Sequence, residues 1–274
     1  MDFDAVDLLS AADLLDGLAS RFAGTGHVLG IGRPLADGLG AAVPGLDPFP
    51  DYSQGGLSIP STQHALLLIL RGDDPAALDE SASALGTTLS SCFSLAEKTG
   101  GFKYEGGRDL TGYEDGTENP TGEEAADAAL VRGQGGHVDG SSFVAIQRWR
   151  HDFDAFNSMN RTEQDESIGR YRDTNEEFDA PDSAHVKRTA QEDFDPDAFV
   201  LRRSMPWSDE RGCGLFFVAY GCSFRAFDVQ MRRMTGSEDG IVDGLFRFSI
   251  PVSGGFYWCP PVHDGRPVLS LLRR

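Results

Sequence analysis

The residues best suited to chemistry lie in one glycine-rich turn, residues 112–120 (GYEDGTENP). Gly112 and Gly116 can adopt backbone angles that other residues avoid, so the segment can turn tightly and lie close to a bulky group. Asp115 then stands at the tip of the turn. An aspartate there can cap the turn, bind a cation, or act as an acid or base. The turn alone does not decide among these roles.

Other groups that could bind a metal or stabilise charge are spread along the chain. The six histidines are His27, His64, His137, His151, His185 and His263. No spacing among them selects a metal ligand. A pair of arginines, Arg202 and Arg203, precedes a proline and, taken alone, is typical of surface charge. The elements that bring such groups together therefore have to be identified in another way.

The longer segment of residues 108–120 (RDLTGYEDGTENP) resembles the signature of the dye-decolorizing peroxidases, a family of haem proteins. All thirteen consecutive residues fit it. The similarity covers most of the chain, about residues 28–260, and is greatest to the bacterial cytoplasmic type. The resemblance implies one haem b per chain, bound in the C-terminal half.

On the proximal side of that haem, the resemblance points to residues 183–189 (SAHVKRT). His185 corresponds to the axial ligand of the haem iron, and Arg188 to a residue that contacts a haem propionate. An acidic partner of the histidine is expected near Asp239 or Asp243, and we choose Asp243. Such a partner makes the imidazole a stronger donor to iron. Capping of a turn at Gly244 would explain Asp243 nearly as well.

On the distal side, residues 201–206 (LRRSMP) resemble the strand that carries the family's catalytic arginine. The position four residues before the proline selects Arg202, and Arg203 is the second choice because neighbours on a strand face opposite sides. Ser204 stands where some members carry asparagine, which would alter the hydrogen bonding of distal water. His151, in the sequence QRWRHD, resembles a histidine near the haem edge that contacts a propionate or the substrate.

The resemblance implies a peroxidase that reduces hydrogen peroxide and oxidises bulky organic donors such as dyes or phenolics through a high-valent iron-oxo intermediate. Asp115 would move the proton and Arg202 would stabilise charge; the sequence does not say which dominates. One alternative is a protein that removes iron from haem or stores haem with little turnover. Another is an acidic protein whose Asp115 loop binds a metal ion without haem.

Composition narrows the range of partners. The 274 residues include 24 Lys and Arg against 43 Asp and Glu, a net charge of −19. Such acidity argues against nucleic acids and anionic membranes as partners. The longest apolar run, residues 65–70, is too short to span a bilayer, and the first residues show no export signal. We expect a cytoplasmic homo-oligomer, and the tail, residues 266–274, is faintly similar to peptides that load some members into encapsulin shells.

The apolar pattern predicts an α+β protein. Helices are predicted at residues 3–22, 73–98, 123–131, 152–158, 162–170 and 223–234. Strands are predicted at residues 27–31, 64–71, 102–104, 143–150, 199–203, 214–220, 245–250 and 255–258. The resemblance implies two ferredoxin-like halves of antiparallel sheet and helices. We place them at residues 1–121, including the distal Asp loop, and 122–274, with the haem.

Overall fold

A computed structural model describes residues 1–5 and 11–273, and of Phe3 the backbone alone. The strands are β1 Asp2–Ala5, β2 Val28–Gly32, β3 Leu66–Ile69, β4 Phe93–Glu97, β5 Ser142–His151, β6 Leu201–Arg202, β7 Met205–Asp209, β8 Gly212–Gly221, β9 Ser249–Pro251, β10 Gly255–Cys259, β11 Val262–His263 and β12 Arg266–Pro267. The helices are α1 Ala11–Arg21, α2 Arg33–Gly38, α3 Pro75–Leu89, α4 Gly122–Ala129, α5 Phe153–Ser158, α6 Arg161–Ile168, α7 His185–Arg188 and α8 Arg225–Met234. Short 3-10 helices are Gln191–Asp193, Gly244–Arg247 and Ser270–Leu272.

One antiparallel sheet runs through both halves in the order β4-β1-β3-β2-β10-β5-β8-β6. The first four strands come from the N-terminal half and the last four from the C-terminal half. The two groups have the same spatial order. In the first, β4 lies beside β1 and β3 beside β2; in the second, β10 lies beside β5 and β8 beside β6. The halves join where β2 pairs with β10, with Gly32 opposite Tyr257. This arrangement is two ferredoxin-like units in a continuous sheet, which confirms the predicted fold class.

The sheet curls so that its two ends approach each other. Gly101, which follows β4, forms a bridge with Trp207 of β7, and the Phe102 N–H donates to the Pro206 carbonyl at 3.0 Å. Strand β7 in turn pairs with β8 of the C-terminal half. The loop that follows Phe102 is thereby carried to the outer strand β6, where the signature turn ends up.

Helix α8 shows how sequence pattern becomes packing in the C-terminal half. Phe227, Met231 and Met234 recur at helical spacing and are buried. Phe227 lies against Phe256 of β10, with ring centroids 5.6 Å apart. The helix therefore covers one face of the sheet.

The predicted elements are correct for most of the C-terminal half and wrong at three places nearer the start. Part of the helix predicted over 3–22 is a strand, Asp2–Ala5, and residues 6–10 lie outside the described residues. The helix predicted over 73–98 ends at Leu89, and Phe93–Glu97 forms β4. Residues 102–104 form no strand. The first two errors arise because β1 pairs with β4. This pairing joins residues about ninety positions apart, which a local pattern does not show.

Residues 245–250 also differ from the prediction, because a 3-10 turn occupies Gly244–Arg247 before the short strand β9 begins. No helix within residues 1–5 and 11–273 is both long and apolar enough to cross a membrane. The division predicted between residues 121 and 122 stays a prediction.

Candidate active site

A cavity of about 270 Å³ lies between the signature turn, α7, α8 and the strands β5 and β8. Apolar side chains form much of its wall: Leu215, Phe217, Phe227, Met231, Met234, Leu245 and Phe248. The predicted site residues that line it are Asp115, His151, His185 and Arg202. Four residues that are far apart in sequence therefore share one largely apolar cavity.

His185 is the first residue of α7 and is held by a buried carboxylate. Its Nδ1 lies 2.9 Å from Oδ2 of Asp243, whose side chain has no exposed surface. The other oxygen of Asp243 accepts a hydrogen bond from the Leu245 N–H at 2.8 Å, so the same carboxylate also caps a turn. Both roles foreseen for Asp243 are thus filled together, and the Nε2 of His185 is left for a ligand in the cavity.

Arg188 lies at the end of the same helix but does not line the cavity. It is 5% exposed, and its guanidinium donates to both oxygens of Asp239, at 2.7 and 2.8 Å, and to the Arg233 carbonyl at 2.6 Å. Arg188 thus forms an ion pair with the partly exposed Asp239, and its contact with a haem propionate stays a prediction. Asp239, the second candidate for the partner of His185, is occupied by this arginine.

Asp115 and Arg202 meet at the cavity. One guanidinium nitrogen of Arg202 lies 3.6 Å from a carboxylate oxygen of Asp115, and each side chain keeps about a fifth of its surface exposed, 21% and 22%. Gly112 and Gly116 flank Asp115 and have φ angles of +87° and +78°, which other residues rarely adopt. Arg203 is exposed and does not line the cavity, as expected for the neighbour on a strand.

Ser204 lies beside β8 and away from the cavity. Its Oγ accepts a hydrogen bond from the Val218 N–H of β8 at 3.2 Å, and the residue does not line the cavity. A hydroxyl is shorter than a carboxamide and here bonds to the neighbouring strand. The expected effect of Ser204 on distal water stays a prediction.

His151 is fixed at both ring nitrogens. Nδ1 lies 2.7 Å from the Ser249 hydroxyl and Nε2 lies 3.1 Å from Asp109, with only 6% of the histidine side chain exposed. Burial acts to raise the pKa of Asp109, but hydrogen bonds from His151 and Thr111 outweigh it and leave that pKa below its usual value. Asp109 also lines the cavity, and sequence reasoning missed it. Its position within the signature was the available signal.

The donor set fits a haem. A histidine with one nitrogen oriented by a buried carboxylate is a suitable axial ligand, and apolar walls suit a macrocycle. Arg202 and Arg170 are basic groups at the cavity to which haem carboxylates could bind, whereas both ring nitrogens of His151 already have protein partners. Throughout the part of the chain that the structure describes, no three His, Cys, Asp or Glu side chains cluster as a metal site. The geometry thus gives no support to a metal ion held by the Asp115 loop.

A family model described as Dyp-type peroxidase, C-terminal, matches residues 106–264. The match contains the signature turn, His185 and Arg202. The chain belongs to the Dyp-type peroxidase family. This membership confirms the predicted family, and the predicted enzyme class, a Dyp-type haem peroxidase, is the class of that family.

Curated dye-decolorizing peroxidases resemble much of the chain. The protein of Rhodococcus erythropolis is 31% identical over 246 residues, which cover 86% of this chain and 72% of the relative. The protein of Mycolicibacterium paratuberculosis is 29% identical over 210 residues, or 74% of this chain and 59% of the relative. The chain thus spans less than two thirds of the latter's length.

Solved structures of Dyp-type proteins share the fold. A dye-decolorizing protein from V. cholerae has a TM-score of 0.83 at 27% identity, covering 94% of this chain and 91% of its own. A variant of DypB from Rhodococcus jostii RHA1 in complex with haem has a TM-score of 0.87 at 27% identity, covering 95% and 91%. These likenesses cover both halves of the sheet.

Proposed function

We propose that this Dyp-type chain is a haem-dependent peroxidase that reduces hydrogen peroxide and oxidises bulky organic donors such as dyes or phenolics. The observation that carries the proposal is one cavity that holds both His185, bonded to buried Asp243, and the pair Asp115 and Arg202. The haem bound to the R. jostii DypB variant supports haem as the cofactor here, and we propose one haem b per chain.

On the proximal side, the work of the chain is to hold the iron and adjust its electronics. His185 would bind the iron through Nε2, while its Nδ1–H donates to Asp243 and makes the imidazole a stronger donor. The bound haem would supply an iron that binds peroxide and accepts its oxidising equivalents. The buried carboxylate of Asp243, which accepts two hydrogen bonds, keeps the imidazole ring of His185 from rotating.

On the distal side, the work of the chain is to move a proton and stabilise charge. Asp115 would accept the proton from one oxygen of hydrogen peroxide and return it to the other, which leaves as water. Arg202 stabilises the negative charge that develops as the O–O bond breaks. Their separation of 3.6 Å places both groups where a small peroxide can contact them together.

An absorption spectrum of the protein made with haem supplied, before and after one equivalent of hydrogen peroxide, tests the cofactor and the chemistry. We expect a Soret band that shifts with peroxide and is lost in His185→Ala. His263→Ala is the matched control, because His263 is an exposed histidine outside the cavity. No Soret band under haem-replete expression would overturn the haem proposal.

Stopped-flow rates of the peroxide reaction test the distal pair. Asp115→Asn should slow the reaction by about 10²–10⁴-fold, the range of general acid–base catalysis, and Arg202→Leu by about 10²–10³-fold. If both variants reacted at wild-type rates, the assignment of Asp115 and Arg202 would fail.

The alternative functions give different results in the same experiments. A Soret band that does not change with peroxide would favour haem storage, and porphyrin released without peroxide would favour iron removal. The cytoplasmic location, the homo-oligomeric state and the loading into an encapsulin shell stay predictions.

A further inference from the structure

The signature turn contains an asparagine whose amide makes two bonds to the backbone that carries Arg202. The Arg202 N–H donates to Oδ1 of Asn119 at 2.7 Å, and Nδ2 of Asn119 donates to the Arg202 carbonyl at 3.1 Å. The two bonds join residues that are 83 positions apart. A carboxamide has one acceptor and one donor side, so it can pair with a backbone as a neighbouring strand would.

Strand β6 is the outer strand of the sheet, which explains why this pairing is available. The Arg203 N–H donates to the Val218 carbonyl of β8 at 2.8 Å, on the inner side. Successive residues of an antiparallel strand direct their N–H and C=O groups to opposite sides. The backbone groups of Arg202 therefore face away from β8, where no further strand lies in the described sheet, and Asn119 occupies that place.

Asn119 is also close to Gly116, the residue that follows Asp115. The Asn119 N–H donates to the Gly116 carbonyl at 3.0 Å, and a Cβ on Gly116 would lie only 2.8 Å from Nδ2 of Asn119. The glycine thus leaves room for the amide as well as providing the turn. Asn119 therefore bonds through its side chain to the backbone of Arg202, and through its own N–H to the residue that follows Asp115.

We propose that Asn119 is a positioning residue that fixes Arg202 relative to Asp115. This inference rests on the proposed function, because it concerns the pair that acts on peroxide. A turn-forming asparagine followed by proline would need only local contacts. The two bonds to Arg202 are not local, and they set where the arginine strand lies against the loop.

The first test compares the peroxide reaction in holoprotein variants. Asn119→Ala should slow the reaction by roughly 10²-fold, the order expected when a catalytic group is misplaced by about 1 Å. In the Arg202→Leu background, Asn119→Ala should cause little further loss, because its effect passes through that arginine. Asn157→Ala is the control, since Asn157 is exposed on α5 and outside the cavity. A wild-type rate in Asn119→Ala, or effects that multiply fully in the double variant, would overturn the inference.

The second test does not depend on haem chemistry. Amide hydrogen exchange at Arg202, measured by NMR or mass spectrometry, should become faster in Asn119→Ala. Asn119→Asp keeps Oδ1 but loses the Nδ2 donor, so the Arg202 amide should stay protected while the peroxide reaction slows. If exchange at Arg202 is unchanged in Asn119→Ala, the positioning role is wrong. If exchange changes but wild-type protein does not react with peroxide, the proposed function fails and the structural link stands.

Discussion

At the scale of single residues, Asp109 shows how burial and hydrogen bonding oppose each other beside the cavity. Burial would raise its pKa, yet the bonds from His151 and Thr111 lower it below the usual value. A depressed pKa means that the folded state favours the carboxylate. Its contribution to stability is present above the unfolded pKa, about 4, and is lost as the pH falls through the folded value.

The prediction is that Asp109→Asn lowers stability at pH 7 by about 1–3 kcal/mol, because three donor groups on Thr111 and His151 lose a charged acceptor. It should also remove part of the acid sensitivity, so the variant and the wild type converge below about pH 4. Urea unfolding across that pH range measures both effects. Asp264→Asn, at an exposed aspartate, should leave the pH profile unchanged. Parallel profiles for Asp109→Asn and the wild type would contradict the prediction.

The individual residues also show what sequence could supply. Resemblance selected Asp115, His151, His185 and Arg202, and all four line one cavity. It did not reveal that Arg188 binds Asp239 or that Ser204 bonds to β8, because each contact is made with a residue that lies outside the local motif.

At the scale of elements, the position of α7 depends on an ion pair at its end. Arg188 is buried and binds Asp239 and the last turn of α8, whereas the Asp239 side chain is 38% exposed. Removing the aspartate leaves a buried guanidinium without its charged partner, while removing the arginine leaves a carboxylate that water can reach. The two substitutions should therefore differ in cost.

We predict that Asp239→Ala destabilises the protein by up to about 3 kcal/mol, less than a fully buried pair because of its exposure, and that Arg188→Met costs about 1–2 kcal/mol. Urea unfolding with haem content measured in parallel tests the order. A contact between Arg188 and a haem propionate predicts a different pattern. Arg188→Met would then lose haem without a change in stability, and Asp239→Ala would change neither the haem content nor the stability.

Two of the errors in the predicted elements, at residues 2–5 and 93–97, share one physical cause. Residues 90–98 contain Leu, Ala, Glu and Lys, which favour helix, but Phe93–Glu97 pairs with β1 and becomes a strand. Tertiary pairing overrode local propensity there. In β5, local propensity and pairing agree: the aromatic and β-branched residues predict a strand over 143–150, and the structure has one at Ser142–His151.

At the scale of the whole molecule, the strong negative charge is a property that the composition alone does not explain. The net charge is −19, and six carboxylates but two arginines line the cavity. The lining acids exposed to solvent are Glu114, Glu118, Glu177 and Glu192. A cleft lined by one sign of charge raises the local concentration of oppositely charged ligands and lowers that of like-charged ones.

The last prediction follows for donors of different charge. The kcat/KM for a cationic aromatic donor should fall as ionic strength rises, by up to about tenfold, and the value for an anionic dye should rise. Salt acts because the Debye length shrinks to about 10 Å at 0.1 M, so the carboxylates no longer act over long distances. A neutral phenol is the control and should change little. If cationic and anionic donors responded in the same direction, the acidic lining would have no part in choosing the donor, and the charge of the chain would have to be explained by its surface away from the cavity.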